Sequence, residues 1–441
     1  METESNDELE RFRSLLLLGL TLGLVLSVLS FWILTSYYRV DVPASLFAGG
    51  NDGWCKPPTE SIGIHCFGDF NERVGLPAGD PQKGLVETSP IGPLITTIGN
   101  LLSSLTTPRI ALVAFLILYT ICVVSPIAVE SRRRPRTEQL RLTLLLALGT
   151  YPSIMVLDRG QSLALAIPLM YLYLRAVQHE NFKLLTVSIV ALSCIKPVFI
   201  GLTLIVLLLG RPKRFITTLS LSVSLPIALL VLTGSGRFTR VREWFETSRS
   251  YVGSFREVNT PNNPNASIGA ALYSLVDLFA HLPSPIQFDL RVQAAQYAHK
   301  VAVVLALLLL LLLFVVRHHV APTLSALVLL IVFSLAIGKH VGPYYLVFAL
   351  AVSPLLISQS PVWLIESGPF VKVTLLLALL ATYSTAIIPV LPPNWYELQS
   401  TGDLIQVRTL NTTVAVTLWT CFSILVVVDS TFKLQSRNRL M

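Results

Sequence analysis

An all-α polytopic membrane protein, built as a bundle of about twelve transmembrane helices with interfacial helices on its outer face, is the fold class predicted by three observations. The first is composition: 53% of the 441 residues are hydrophobic and only 13% are charged, where a soluble chain carries roughly a quarter charged residues. Mean hydropathy is +0.67. The second is the length of the apolar runs, several of which reach the ~18–20 residues that cross a bilayer. They are continuous rather than alternating, which excludes a membrane β-barrel. The third is the placement of charge. The chain carries a net +8 and an isoelectric point near 9.3, and most of the excess Lys and Arg lies in short loops between apolar runs. That is the distribution of cytoplasmic loops, so the basicity implies a membrane topology and no nucleic-acid partner.

The elements follow in order. The charged stretch Met1 to Arg13 reads as soluble, and Ser14 to Tyr38 reads as an uncleaved first helix, since it is too long for a signal-peptide core. Further helices are predicted over 109–129, 142–157, 161–177, 184–196, 198–210, 215–233, 300–316, 320–337, 345–359, 371–391 and 412–430. Basic clusters stand at Arg132 to Arg134 with Arg136 and Arg141, at Arg211 to Arg214, at Arg317 to His319, and at Lys433 to Arg439. With about twelve crossings all of them fall on one side, which places both termini in the cytoplasm of a plasma-membrane protein. The chain reads as one transmembrane unit over 1–441. Its first outer loop is 39–108, where the amphipathic stretch Ile91 to Leu105 suits an interfacial helix. A second outer loop is 234–299, and a third, shorter one is 392–411.

Cys55 and Cys66 share the first outer loop and could be oxidised to a disulfide. Cys122, Cys194 and Cys421 lie in apolar runs and read as packing residues. No zinc-ligand spacing is present, and no metal or other cofactor is expected.

Charged groups near membrane depth are costly unless paired or wet, which makes them functional candidates. Asp69, in Phe67-Gly68-Asp69-Phe70, reads either as a solvated loop acid or helix cap, or as a general base at the mouth of the bundle. Asp158-Arg159-Gly160-Gln161 reads as a charged hairpin turn. Alternatively, Arg159 and Gln161 face a cavity and meet phosphate or sugar hydroxyls. Lys196-Pro197 interrupts an apolar run, because proline removes a helix hydrogen bond and restricts the residue before it. Lys196 then either snorkels to the surface or meets an anionic headgroup. Asn265-Ala266-Ser267 reads as a helix start, with Asn265 and Ser267 as possible substrate contacts, and it also matches a glycosylation sequon. Lys339-His340, followed by Gly342-Pro343-Tyr344-Tyr345, ends one helix and begins another; it is suited either to interfacial anchoring or to a phosphate leaving group. No Walker loop, nucleophile elbow or dinucleotide fingerprint occurs.

As an ordered set these motifs resemble the GT-C membrane glycosyltransferases, specifically glycosyltransferase family 87, which includes polyprenol-phosphate-mannose mannosyltransferases and a branching arabinofuranosyltransferase. Phe67-Gly68-Asp69-Phe70 is similar to the family's Asp motif in the first outer loop. Ser89-Pro90-Ile91-Gly92-Pro93-Leu94 is similar to its Tyr-Pro-Pro segment but lacks the tyrosine and the double proline. Gly160-Gln161-Ser162 is similar to its Gly-Gln-x-Asn, with Leu163 where Asn is common. Ile195-Lys196-Pro197 matches its Lys-Pro, Asn265-Ala266-Ser267-Ile268 its Asn-x-Ser motif, and Lys339-His340 with Tyr344 its late histidine region. The resemblance implies a GT-C-like bundle that transfers mannose or arabinofuranose from a polyprenyl-phosphate donor to an outer-face glycolipid or envelope glycan. Asp69 would be the general base, with Lys196, His340, Lys339 and Arg159 at the donor phosphate and Gln161, Asn265, Ser267 and Tyr344 at the substrate. A secondary transporter or lipid flippase, or an accessory membrane subunit, is the competing expectation, although no inverted repeat is visible.

Overall fold

The computed structural model describes residues 2–36, 94, 98, 108–132, 134–159, 162–233, 238, 241–242, 244–246, 267–269, 271–272, 287–336, 343–358, 361–383 and 410–440. Every described regular element is helical. A bilayer interior offers no water to backbone amides, so a spanning segment must satisfy them within itself, and an apolar helix does so. Four helices are long and apolar enough to cross a membrane on length and composition, with windows at Val113–Glu130, Pro212–Leu232, Tyr297–Val315 and Thr412–Gln435. Several shorter apolar helices accompany them. The chain is a multi-pass helical membrane protein.

In chain order the helices are α1 (Glu2–Ser36), α2 (Pro108–Glu130), α3 (Arg136–Leu148), α4 (Tyr151–Arg159), α5 (Ala166–Gln178), α6 (Phe182–Ile195) and α7 (Leu204–Leu208), then α8 (Pro212–Thr233), α9 (Gln287–Val315), α10 (Pro322–Leu335), α11 (Phe348–Ser358), α12 (Val362–Ile365), α13 (Pro369–Tyr383) and α14 (Leu410–Leu440). Short 3-10 turns at Ser162–Leu165, Pro197–Thr203 and Pro343–Val347 lead into α5, α7 and α11.

Several expectations are refined and others corrected. α1 is helical from Glu2, so the charged N-terminal stretch continues directly into the first apolar run. Asp158 and Arg159 form the last turn of α4, and Gly160 and Gln161, the rest of the expected turn, lie outside the described residues. The run over 142–157, a segment whose sequence already allowed a break, is divided at Gly149-Thr150 into α3 and α4. There the carbonyl of Ala147 accepts from side-chain hydroxyls. The Ser153 hydroxyl donates to it at 2.7 Å, and Tyr119 of α2 closes the break through a hydrogen bond with the same hydroxyl. α9 reaches back to Gln287, into the stretch expected as the second outer loop. Cys122 and Cys194 are buried as expected, but Cys421 is exposed on α14.

The centre of the bundle is α5, α10 and α11. Twelve of the fourteen residues of α10 are buried, and α11 is enclosed from Phe348 to Ile357. By contrast, α1, α2, α8 and α9 turn large apolar side chains outward: Leu18 and Leu22, Ile117 and Ile121, Ile216 and Leu232, Leu307 and Leu311. In a membrane protein these faces meet lipid. α1 joins the bundle through glycines four residues apart. A Cβ on Gly19 would overlap the Leu380 side chain, and one on Gly23 would lie 2.9 Å from the carbonyl of Gly149 and 3.0 Å from that of Tyr383. Small residues at this spacing let helix backbones approach closely. α13 and α14 are tied by the Trp419 indole donating to the Thr382 hydroxyl at 2.9 Å.

Long-range contacts gather the charged helix ends on one side. Arg13 of α1 donates to Leu356 O at 3.4 Å, and Arg134 donates to Ile357 O at 2.6 Å while pairing with Glu138. Arg175 of α5 pairs with the buried Glu130 of α2 at 3.2 Å, and Tyr171 donates to the same carboxylate at 2.6 Å. Lys433 of α14 donates to Glu366 O at 2.9 Å. These groups define a basic end of the bundle.

Candidate functional site

Away from the basic end, three interruptions of helix come together. The first lies between α4 and α5 and contains the turn Ser162–Leu165. The second is Lys196-Pro197, between α6 and the turn Pro197–Thr203. The third is the turn Pro343–Val347 that leads into α11. α4 packs against the third, the Ser162–Leu165 turn against both α6 and the third, and α10 against the second and the third. Irregular backbone at membrane depth is tolerated only inside protein or against a wet cavity. Their convergence is therefore the described region best suited to a polar ligand.

The second break follows directly from its residues. Proline disfavours helical torsions at the preceding position, and Lys196 is extended, with φ −145 and ψ 119. Its amide still donates to Leu192 O at 2.9 Å and its carbonyl accepts from Phe199 at 3.1 Å, so the backbone is satisfied on both sides. As the C-cap of α6, Lys196 also places its ammonium at the negative end of the helix dipole. α6 has fourteen residues and is therefore ~21 Å long, shorter than the ~30 Å of a bilayer core. Since α6 starts at the basic end, Lys196 stands ~21 Å from it, at the far end of the helix.

The ammonium of half-buried Lys196 lies 5.9 Å from the centre of the Tyr345 ring, a cation–π arrangement. In the neighbouring turn the Ser162 hydroxyl is buried and has no hydrogen-bond partner among the described residues. Gly201 supports the geometry: a Cβ there would lie 2.0 Å from the Phe333 ring of α10, so its absence lets α10 close on the turn that follows Pro197. The assembled groups are a cation, an aromatic face and an unused hydroxyl, which together suit an anionic or hydroxyl-bearing ligand.

Of the other candidate residues, Arg159 ends α4 and Tyr344 lies in the Pro343–Val347 turn, so both belong to elements that meet at the convergence. Ser267 is buried and opens a short turn through Ser267 O and the amide of Ala271 at 3.0 Å. That turn packs on α9, where a Cβ on Gly269 would lie 2.8 Å from the His299 Cα. Asp69, Gln161, Asn265, Lys339, His340, Cys55 and Cys66 lie outside the described residues. Among the described residues no His, Cys, Asp or Glu grouping could hold a metal ion.

Sequence reasoning selected Tyr344 and passed over its neighbour Tyr345, and it used Ser162 only as part of a motif. The adjacent pair of tyrosines was visible in the sequence, but which ring turns toward Lys196 depends on the turn. No family model, no curated protein and no solved structure matches this chain.

Proposed function

We propose that this protein is a membrane glycosyltransferase of the GT-C type, similar to family 87. In this reading about twelve passes surround a site that opens away from the basic, cytoplasmic end. The observation that supports it is the half-buried Lys196 ammonium at a pre-proline break, set against Tyr345 beside the turn that carries the unpartnered Ser162 hydroxyl. The motif order across the chain supports it independently.

The transfer is an inverting, metal-independent displacement. A polyprenyl-phosphate mannose or arabinofuranose lies with its lipid among the helices and its headgroup at the convergence. Asp69 takes the proton of the acceptor hydroxyl as that oxygen attacks the anomeric carbon, and the bond to the lipid phosphate breaks. One in-line step needs one base. Lys196, with Lys339, His340 and Arg159, offsets the charge that develops on the departing phosphate. Gln161, Asn265, Ser267 and Tyr344 orient sugar and acceptor. The acceptor is a glycolipid or envelope glycan of the outer face.

The test uses purified full-length protein in nanodiscs, offered each synthetic donor with glycolipid extract and followed by product mass. Consumption of one donor, unaffected by chelator, is expected. Asp69→Asn is expected to lose transfer by at least a hundredfold, the scale of a positioned base, while donor binding and thermal midpoint are kept. Substantial turnover in that variant would remove Asp69 from its role.

A secondary transporter is the second reading, favoured by one specific observation. Interrupted helices that meet at membrane depth also form substrate sites in transporters. Substrate movement across proteoliposomes with no covalent product would establish it over the enzyme.

A further inference from the structure

We infer that the basic end carries a binding site for the phosphate headgroup of an anionic phospholipid, formed by Arg211, Lys213 and Arg214 around Phe182. This inference is independent of the transfer reaction and of the site that would perform it.

α6 and α8 both begin at the basic end and pack side by side. One turn in, Thr186 and Thr218 share a hydrogen bond of 3.1 Å, which fixes the two helices in register. At their starts the Phe182 ring has the Arg211 guanidinium 5.5 Å and the Arg214 guanidinium 4.5 Å from its centre. Two flexible cations are thereby held over one ring. Stacking a guanidinium on an aromatic face restricts its motion while leaving its N–H edges free to donate. Lys213 lies between the two arginines and Lys183 follows Phe182; both are exposed.

These cations differ from four others at the same end, although Arg317 likewise lies over a ring, 4.3 Å from the centre of Phe314. Arg13 pairs with Glu10, Arg134 with Glu138, Arg175 with Glu130 and Lys433 with Asp429. Among the described residues no carboxylate pairs with Arg211, Lys213 or Arg214. Glu180 is adjacent in sequence, but a left-handed turn at φ 52 separates it from the start of α6. Two parallel helices that begin together add the positive ends of their dipoles to the same spot. The result is a preorganised positive site with no counter-charge among the described residues.

Its position selects a lipid as the occupant. Ile216, two residues past Arg214, is 63% exposed, and Leu221 and Val223 continue an outward apolar face along α8. A groove of about 770 Å³ runs farther along the same helix, from Leu219 and Ser220 to Leu232 and Phe238. A ligand anchored at Arg211 and Arg214 therefore has hydrocarbon-facing surface beneath it. Phosphate bound to guanidinium with acyl chains on an apolar helix face is the chemistry of an anionic phospholipid, and basic clusters between helices at the cytoplasmic interface bind such headgroups.

The experiment uses the full chain in detergent, titrated with short-chain phosphatidylglycerol, short-chain phosphatidylcholine or glycerol 1-phosphate, and reads bound lipid by native mass spectrometry. Preferential binding of phosphatidylglycerol is expected, with glycerol 1-phosphate a poor competitor. Arg211→Gln/Arg214→Gln should weaken it roughly tenfold or more, from the worth of two interfacial cations. Phe182→Leu, which keeps every charge but removes the ring, should weaken it several-fold, whereas Arg317→Gln should leave it unchanged. Three results would overturn the inference: equal binding of phosphatidylcholine, equal loss in Arg317→Gln and the double variant, or full competition by glycerol 1-phosphate. If the double variant does not fold, Phe182→Leu decides between a built site and diffuse charge.

Discussion

Lys196 is the residue on which most of the functional argument turns. A lysine that only anchors a helix would extend its ammonium to water along its flexible stem. Here the ammonium is set against the Tyr345 ring, at a break that proline imposes on the backbone. If it meets the donor phosphate, Lys196→Met should raise the donor KM by roughly ten- to a hundredfold, the worth of one charge-assisted hydrogen bond. Lys196→Arg should restore part of that loss. Thermal midpoint should stay near that of the native chain in both variants. A KM unchanged in Lys196→Met would assign the residue to helix anchoring. The lysine and the proline are both plain in the sequence. The partner ring is not, because Tyr344 and Tyr345 are chemically equal and only the 3-10 turn at Pro343–Val347 distinguishes them.

At the scale of elements, packing depends on positions where a side chain is missing. Gly23 of α1 faces two backbone carbonyls, of Gly149 and of Tyr383, that cannot rotate away as a side chain could. Gly23→Leu should therefore cost about 1–3 kcal/mol, the usual range for overpacking. In detergent this should appear as a fall of several degrees in thermal midpoint. Val25→Leu, on an exposed face of the same helix, should leave the midpoint unchanged. Equal effects of the two substitutions would show that α1 packs elsewhere. Helix breaks belong to the same scale. Pro197 announces its own, whereas the division between α3 and α4 is accompanied by Gly149 packing against Leu24 and by the Ser153 and Tyr119 hydroxyls, which donate to Ala147 O at 2.7 and 3.5 Å. Leu24 and Tyr119 come from distant helices, so the local sequence could not disclose them.

For the whole molecule, the described contacts gather Arg13, Arg134, Arg175, Arg211, Arg214 and Lys433 at one end. By the positive-inside rule this end is expected in the cytoplasm. In a cysteine-free background, His319→Cys should resist a membrane-impermeant maleimide in intact cells and react once the cells are opened. Asn263→Cys should react in intact cells. Labelling in the reverse pattern would invert the topology and place the Lys196 site on the cytoplasmic side of the arrangement proposed above.

The sequence by itself determined that this is a helical membrane protein, close to where its apolar segments lie, and where Pro197 interrupts one of them. Those properties follow from the cost of exposing charge or unpaired amides to hydrocarbon, a cost each segment meets largely on its own. It did not determine which helices are central. α9 and α10 are both strongly apolar, yet only 22% of the α9 window is buried inside the protein, while α10 is almost wholly enclosed. Lipid and protein interior are equally apolar, so hydropathy cannot separate a face that meets one from a face that meets the other. Only the tertiary structure decided that α5, α10 and α11 form the core and that three distant helix breaks share one place. It also decided that Tyr345 and Ser162 stand there with Lys196, because each of these depends on contacts between segments far apart in the chain.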